Sequence, residues 1–340
     1  MRSDVPIVVF FFLRIEKTKK IISQLSSVAP KKIYLISDGG RSEKEKEIVA
    51  DCRRQVEDII TWPCTVVKNY ADKNEGVYNR IALGAKWVFS QEPMAIFLED
   101  DNLPEISFFQ FCEELLDKYK DDSRILWICG TNYLINYEPK DGSSYLFTHN
   151  MLPCGWASWS DKFNKYYDGF LELWADKYIR KEIESKYDNK VLLKQDIKRW
   201  DMELDRLRRG QRFNSWDAQM AFSIRVHGLY GIVPKYNQIR NIGVDLNSVH
   251  GGISLDNIMT KRFCELKTIP MEFPLKHPKV VMIDRAFESK ISNIITLPLI
   301  YRMKAKLNVI AKMIFFVGSN DSFVKTMKSR MNRLLSKGRT

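Results

Sequence analysis

The sequence predicts an α/β fold in which helices cover a largely parallel sheet. Nearly unbroken apolar runs, typical of strands buried on both faces, occupy residues 5–13, 33–37 and 94–98. Charged segments with apolar residues at helical spacing separate these runs, so strand and helix alternate along the first 130 residues. Ligands of such sheets gather at the carboxyl ends of the strands. A functional site is therefore expected at that edge.

Each predicted strand, helix or turn rests on a local sequence pattern. The first strand is rich in β-branched and aromatic residues, and the helix after it places Ile21, Ile22 and Leu25 among lysines. Gly39 and Gly40 permit a sharp turn after the second strand. The predicted strands are 5–13, 33–37, 64–68, 94–98, 125–129 and 230–233. The predicted helices are 15–25, 42–59, 77–89, 106–119 and 218–226, and residues 167–212 are helical and highly charged.

Composition limits the function classes. The chain has 340 residues, 45% of them hydrophobic, which is enough for one large core or two moderate ones. Its six cysteines are scattered without a Cys-x-x-Cys pair, so we expect neither disulfides nor a zinc site, and a reducing compartment. The apolar run near the start is too short for a membrane span and has no cleavage site, so we expect no signal peptide.

The positive charge is concentrated at one end of the chain. The formal net charge is +12, and residues 285–340 carry +10 of it, with 12 Lys or Arg against Glu288 and Asp321. This distribution argues against nucleic acid as a partner of the whole protein.

A candidate site lies in residues 94–104, where an apolar strand runs into Glu99, Asp100 and Asp101. Side chains two apart on a strand share a face, so Glu99 and Asp101 are predicted to point into a cleft and Asp100 away from it. Their mutual repulsion would be relieved by a divalent cation or by cationic groups. The alternative is a solvated acidic turn before a helix. Arg14 and Asp38 also follow strands, and we expect them at the same sheet edge.

Aromatic residues follow the strand at 125–129. Trp156 and Trp159 stand close to Pro153 and Gly155. They fit either a buried core or a wall on which a sugar ring packs.

In the order of its motifs, the first 250 residues resemble a glycosyltransferase of the GT-A fold. The likeness is to the N-acetylglucosaminyltransferase I type and its bacterial surface-polysaccharide relatives. The motifs are Tyr78-Asn79-Arg80, Glu99-Asp100-Asp101, Phe108-Phe109, Gly155-Trp156, Trp216-Asp217, Asn241-Ile242-Gly243 and Ser248-Val249-His250. The resemblance implies a Rossmann-like mixed sheet flanked by helices. It also implies a catalytic domain at 1–260, with a nucleotide-binding half at 1–130 and an acceptor half at 131–260, followed by a linker and basic helical tail at 261–340.

The resemblance also assigns roles to residues. Asp101 would bind Mn²⁺ or Mg²⁺, and Asp217 would be the general base. The remaining positions would contact a nucleotide-diphosphate sugar, with a UDP-sugar favoured: Arg14 and Asp38 at the base, Arg80 at the diphosphate side, and Glu99 and Asp100 at the ribose or sugar. Tyr78 and Trp156 are also predicted to bind the donor. The matching family position for Tyr78 can be histidine, and the family's second acid beside Asp217 is missing here.

Simpler structural roles compete with three of these assignments. Asp217 could cap its helix, Asp38 could shape its turn, and Arg14 could be a surface arginine.

The implied function is an inverting, metal-dependent glycosyltransferase acting on a glycan or lipid-linked acceptor in surface polysaccharide synthesis. One alternative is a sugar nucleotidyltransferase, which would want a glycine-rich basic loop after the first strand, where Leu13-Arg14-Ile15 stands instead. The other is a non-catalytic membrane-peripheral binding protein of the same fold.

The sequence of the C-terminal residues predicts where in the cell the protein is located. Residues 285–340 combine apolar clusters with basic residues, which is typical of an amphipathic helix on an anionic membrane surface. The expected location is the cytoplasm, on the inner face of the plasma membrane. Packing of the tail on the catalytic domain is the alternative.

Overall fold

The computed structural model describes residues 3–244, 257–315 and 326–329. The chain divides into two compact units, Met1–Ile295 and Thr296–Thr340. The predicted landmark Ser248-Val249-His250 lies outside the described residues.

Strands and helices alternate along most of the first unit. In chain order, the strands are β1 (Ile7–Phe11), β2 (Lys32–Ser37), β3 (Thr65–Tyr70), β4 (Met94–Glu99), β5 (Asn102–Pro104), β6 (Ile125–Cys129), β7 (Tyr145–Thr148), β8 (Trp156–Trp159), β9 (Tyr230–Pro234) and β10 (Ile239–Asn241). The helices are α1 (Ile15–Leu25), α2 (Glu43–Asp58), α3 (Gly84–Phe89), α4 (Ser107–Lys118), α5 (Ser160–Tyr166), α6 (Lys177–Glu182), α7 (Lys190–Arg208), α8 (Asp217–Val226), α9 (Ile258–Phe263), α10 (Arg285–Ile295) and α11 (Leu299–Ile314).

The main sheet has eight strands in the order β3-β2-β1-β4-β8-β6-β9-β7. The first four are parallel, and β8 runs antiparallel between β4 and β6. The predicted fold class, a mixed α/β sheet flanked by helices, is confirmed. Because β1, β2 and β4 are parallel neighbours, their carboxyl ends meet at one edge.

Both faces of this sheet are buried, as the unbroken apolar runs predict. Along β1, Ile7 and Val9 face one hydrophobic cluster, while Val8 and Phe10 face the other. A third cluster around Trp174 and Trp200 joins α7 to α8. This cluster supports the start of α8, where Asp217 lies.

Two local features differ from the predicted elements. The predicted helix at 77–89 begins as a π-helical turn, Asn79–Leu83, before α3. A second, two-stranded sheet pairs β5 with β10, antiparallel, and so joins the residues after the acidic triplet to residues 239–241.

The first unit continues beyond residue 260. Met271 and Leu275 lie in one of the sheet clusters, and Phe287 and Ile291 of α10 are fully buried in the other. Residues 261–295 therefore contribute to the core of the first unit.

The second unit contains α11, which carries Arg302, Lys304, Lys306 and Lys312 and no acidic residue. No helix in the described ranges is long and apolar enough to cross a membrane.

Candidate active site

One arginine binds two of the three acids of the triplet. Strand β4 ends at Glu99, which lies beside Phe10 of β1, and the next two residues form a turn. Arg14 Nη1 donates to Asp100 Oδ1 and to Asp101 Oδ2, each at 3.0 Å. The sequence predicts that Asp100 points away from a cleft shared by Glu99 and Asp101. Asp100 and Asp101 instead share one nitrogen of Arg14, because the strand, and with it the alternation of side chains, stops at Glu99.

The triplet is electrostatically crowded. Burial raises the pKa of Glu99 well above its ordinary value, and the charges of Asp101, Asp100 and Asp217 add to the shift. Burial also raises the pKa of Asp100 to about 6, although Arg14 opposes this shift. The ordinary pKa of an aspartate is near 4, so Asp100 retains protons at a pH where an exposed aspartate has lost them. These shifts indicate a site that favours added positive charge.

Asn102 fixes the far side of the triplet. Its Nδ2 donates to Asp101 Oδ1 at 2.6 Å, and its Oδ1 accepts from the backbone N–H of Gly155 at 2.8 Å. Gly155 has φ +61°, and a Cβ there would lie 2.4 Å from Ile239 Cδ1. Asn102 therefore ties the end of β4 to the start of β8.

Gly243 lies directly against the Asp101 side chain. The backbone N–H of Ile242 donates to the carbonyl of Asp101 at 2.8 Å. A Cβ on Gly243 would lie 2.5 Å from Asp101 Oδ2 and 2.8 Å from Asn241 Oδ1. A side chain fits here only if the ends of both Asp101 and Asn241 shift.

We therefore expect Gly243→Ala to weaken metal-dependent binding of a nucleoside diphosphate by about tenfold or more, because the Asp101 carboxylate is displaced. Isothermal titration would measure the dissociation constant. Gly231→Ala is the matched control, since its Cβ would meet Trp127 at an ordinary 3.7 Å. An unchanged affinity in Gly243→Ala would show that the carboxylate of Asp101 is not needed in its present place.

Asp217 is the first residue of α8. Ser215 Oγ accepts from the backbone N–H of Ala218, so the serine, not Asp217, caps this helix. Asp217 Oδ2 accepts from Arg199 Nη2 at 2.6 Å, and Oδ1 accepts from Ser215 Oγ at 2.5 Å. Its charge is one of the smaller causes that raise the pKa of Glu99, after burial and the charges of Asp101 and Asp100.

Asp38 and Arg80 have structural partners at the same edge. Asp38 accepts hydrogen bonds from the backbone N–H groups of Gly39, Glu75 and Gly76 and from the Asn74 side chain. Asp38 shapes its turn, as the simpler alternative proposed. The two Nη atoms of Arg80 donate to Glu75 Oε2 at 3.0 Å and to the Asn69 carbonyl at 2.6 Å.

Trp156 and Tyr78 lie in the core. Trp156 is 1% exposed, and its ring stacks on Phe97 and on Trp127 with centroids 3.8 and 4.3 Å apart. The prediction that Trp156 offers a face to a sugar is corrected, because other aromatic rings stack on it. Tyr78 is 4% exposed and packs edge-on against Phe213, so we also place it in the core.

Three residues of this site were not predicted from the sequence: Asn102, Arg199 and Ser215. Gly243 was named as a landmark, but its close contact with Asp101 was not predicted. Asn102 directly follows the triplet and Ser215 precedes Asp217 by two positions, so proximity was an available signal. Arg199 is one of many charges in a long helix, and nothing in the sequence marks it.

The carboxylates do not form a closed metal cage. Among residues 3–244, 257–315 and 326–329, no group of three His, Cys, Asp or Glu side chains is placed to enclose a metal ion. The available donors are carboxylate oxygens, which suit a hard cation such as Mg²⁺ or Mn²⁺ bound through one or two protein ligands.

Comparisons with known proteins give only distant likenesses. No protein-family model matches the chain, and no curated protein matches it. Among solved structures, the chain is similar to 4-diphosphocytidyl-2C-methyl-D-erythritol synthase from Anaerococcus prevotii, with TM-score 0.32, 11% identity, and coverage of 51% of this chain and 78% of that one. It is also similar to a UDP-glucose pyrophosphorylase complexed with UDP-glucose, with TM-score 0.35, 9% identity and coverage of 70% and 93%. The apo structure of WbbM, a bifunctional glycosyltransferase, gives TM-score 0.30, 11% identity and coverage of 48% and 33%. These similarities assign neither a family nor an activity to this chain.

Proposed function

We propose that this chain is an inverting, metal-dependent glycosyltransferase. It would move a sugar from a nucleotide-diphosphate donor, with a UDP-sugar favoured, to a glycan or lipid-linked acceptor in surface polysaccharide synthesis. The observation that carries the proposal is the grouping of Arg14 with Asp100 and Asp101 directly after the parallel strand β4, together with Asp217, whose charge contributes to the raised pKa of Glu99. A donor site and a separate carboxylate base are what this reaction needs.

The residues fit a divalent cation at Asp101. Their donors are hard oxygen atoms. The pKa of Glu99 is raised first by burial and then by the neighbouring carboxylates, whose repulsion a cation would relieve. When bound, the ion would neutralise charge on the departing diphosphate. Arg14 holds Asp101 and Asp100 in place, and Asn102 fixes the other oxygen of Asp101.

Asp217 would act on the acceptor. Its carboxylate takes the proton of the acceptor hydroxyl as the hydroxyl oxygen bonds to the anomeric carbon and the bond from that carbon to the diphosphate breaks. Because the acceptor attacks directly, the anomeric configuration inverts. Arg199 and Ser215 orient the carboxylate through one hydrogen bond to each oxygen.

The six cysteines are all free thiols. Free thiols are usual in a reducing compartment, and they support the proposal that the reaction takes place in the cytoplasm.

Thermal unfolding with nucleotides tests the function, because a ligand of the native state raises the melting temperature by mass action. Nucleoside diphosphates, triphosphates and nucleotide sugars are each added with and without Mn²⁺. Stabilisation by a diphosphate or its sugar only in the presence of metal supports the transferase. A response confined to triphosphates points to a sugar nucleotidyltransferase, and no response to any nucleotide favours a binding protein.

A further inference from the structure

Helix α11 carries a continuous apolar stripe. Leu299, Met303, Leu307, Ile310 and Ile314 recur at spacings of three and four residues, so they lie on one face of the helix. Each of them exposes at least 50% of its surface. An exposed stripe of this kind, four turns long, marks an interaction surface.

Basic residues border the stripe. At about 100° per residue, Arg302 and Lys306 lie along one side of it and Lys304 along the other. No acidic residue occurs in the helix. Long lysine and arginine side chains beside an apolar face can bury their stems while their charges stay in a polar layer.

We propose that α11 lies on an anionic membrane surface, with its apolar stripe in the lipid and its basic borders on the headgroups. The sequence assigned this role to residues 285–340, but Phe287 and Ile291 of α10 are fully buried in the first unit. Helix α10 is therefore removed from the predicted membrane-binding region, and among the described residues of 285–340 the exposed stripe lies on α11.

Other partners fit this helix less well. Two copies packed stripe to stripe would bring Arg302 and Lys306 of each helix beside basic residues of the other, with no acid in the helix to pair with them. A nucleic acid would satisfy the basic residues but leave the apolar stripe in water. A phospholipid surface satisfies both, because it offers hydrocarbon and negative charge together. Membrane binding through α11 does not depend on which reaction the first unit performs.

The test is sedimentation of the full chain with vesicles of phosphatidylcholine alone or mixed with phosphatidylglycerol. The wild type should sediment with the anionic vesicles, and added salt should weaken its binding. Leu307→Glu with Ile310→Glu should lower the partition coefficient by about tenfold or more, because charge enters the apolar stripe. The matched control is Leu207→Glu, which places the same charge at an exposed leucine of α7 and should bind as the wild type does.

A second variant tests the contribution of the basic residues separately from that of the apolar stripe. Lys304→Glu with Lys306→Glu leaves every apolar residue in place and should lose the preference for anionic vesicles. Equal melting temperatures would show that the first unit is intact in all variants. The proposal fails if the stripe variant sediments like the wild type, if neutral vesicles bind equally well, or if light scattering shows a wild-type dimer that the stripe variant loses.

Discussion

Asp101→Ala should abolish the metal-dependent stabilisation of this protein by a nucleoside diphosphate. In the wild type, a ligand at a hundredfold excess over its dissociation constant adds about 2.7 kcal/mol to the free energy of unfolding. The variant should lose this gain because the carboxylate beside Gly243 that would hold the ion is removed. Asp101→Asn should behave in the same way, since the amide keeps the volume but not the charge.

The fold itself should survive this change. Arg14 keeps its ion pair with Asp100, and Phe12 still donates its backbone N–H to Asp100. Asp205→Ala is the control for loss of a surface carboxylate, because Asp205 is about half exposed and pairs with Arg209, the residue directly after α7. A diphosphate that still stabilises Asp101→Ala only when Mn²⁺ is present would exclude Asp101 as the metal ligand.

The sequence was informative where one face or both faces of an element are apolar. The bounds of α1 and β6 match their predicted ranges, because the hydrophobic period and the unbroken apolar run are local signals. The pairing of β5 with β10 was missed, since each has three residues and their partners lie more than 130 positions apart. Such a pairing is determined by tertiary contacts that no local window contains.

Some parts of the candidate site could likewise be predicted from the sequence, and others could not. Because parallel strands share an edge, the sequence could predict that Arg14 and the triplet meet there. It could not decide between exposed and buried roles for an aromatic residue, and Trp156 belongs to the core. Burial of that ring depends on Trp127 and Phe97, which come from two other strands.

The second large effect is expected for Asp217→Asn, which should lower turnover by about 10² to 10⁴ while leaving metal-dependent donor binding unchanged. The amide keeps the size of the side chain, and its oxygen can still accept from Arg199. It cannot take up the proton of the acceptor hydroxyl. Steady-state transfer rates and the melting-temperature response to the donor separate the two effects.

The control for Asp217→Asn is Asp201→Asn. Each of these aspartates forms an ion pair with an arginine: Asp201 with Arg180 at 2.9 Å, and Asp217 with Arg199 at 2.6 Å. Turnover should be unaffected in the control, because Asp201 is bound by Arg180 and by the Trp174 side chain and has no proposed role in the reaction. Comparing the two variants thus separates the effect of weakening an ion pair from the effect of removing the catalytic base. If Asp217→Asn keeps near-normal turnover, its contact with Arg199 is structural, and Glu99, with its raised pKa, becomes the carboxyl group to test as the base.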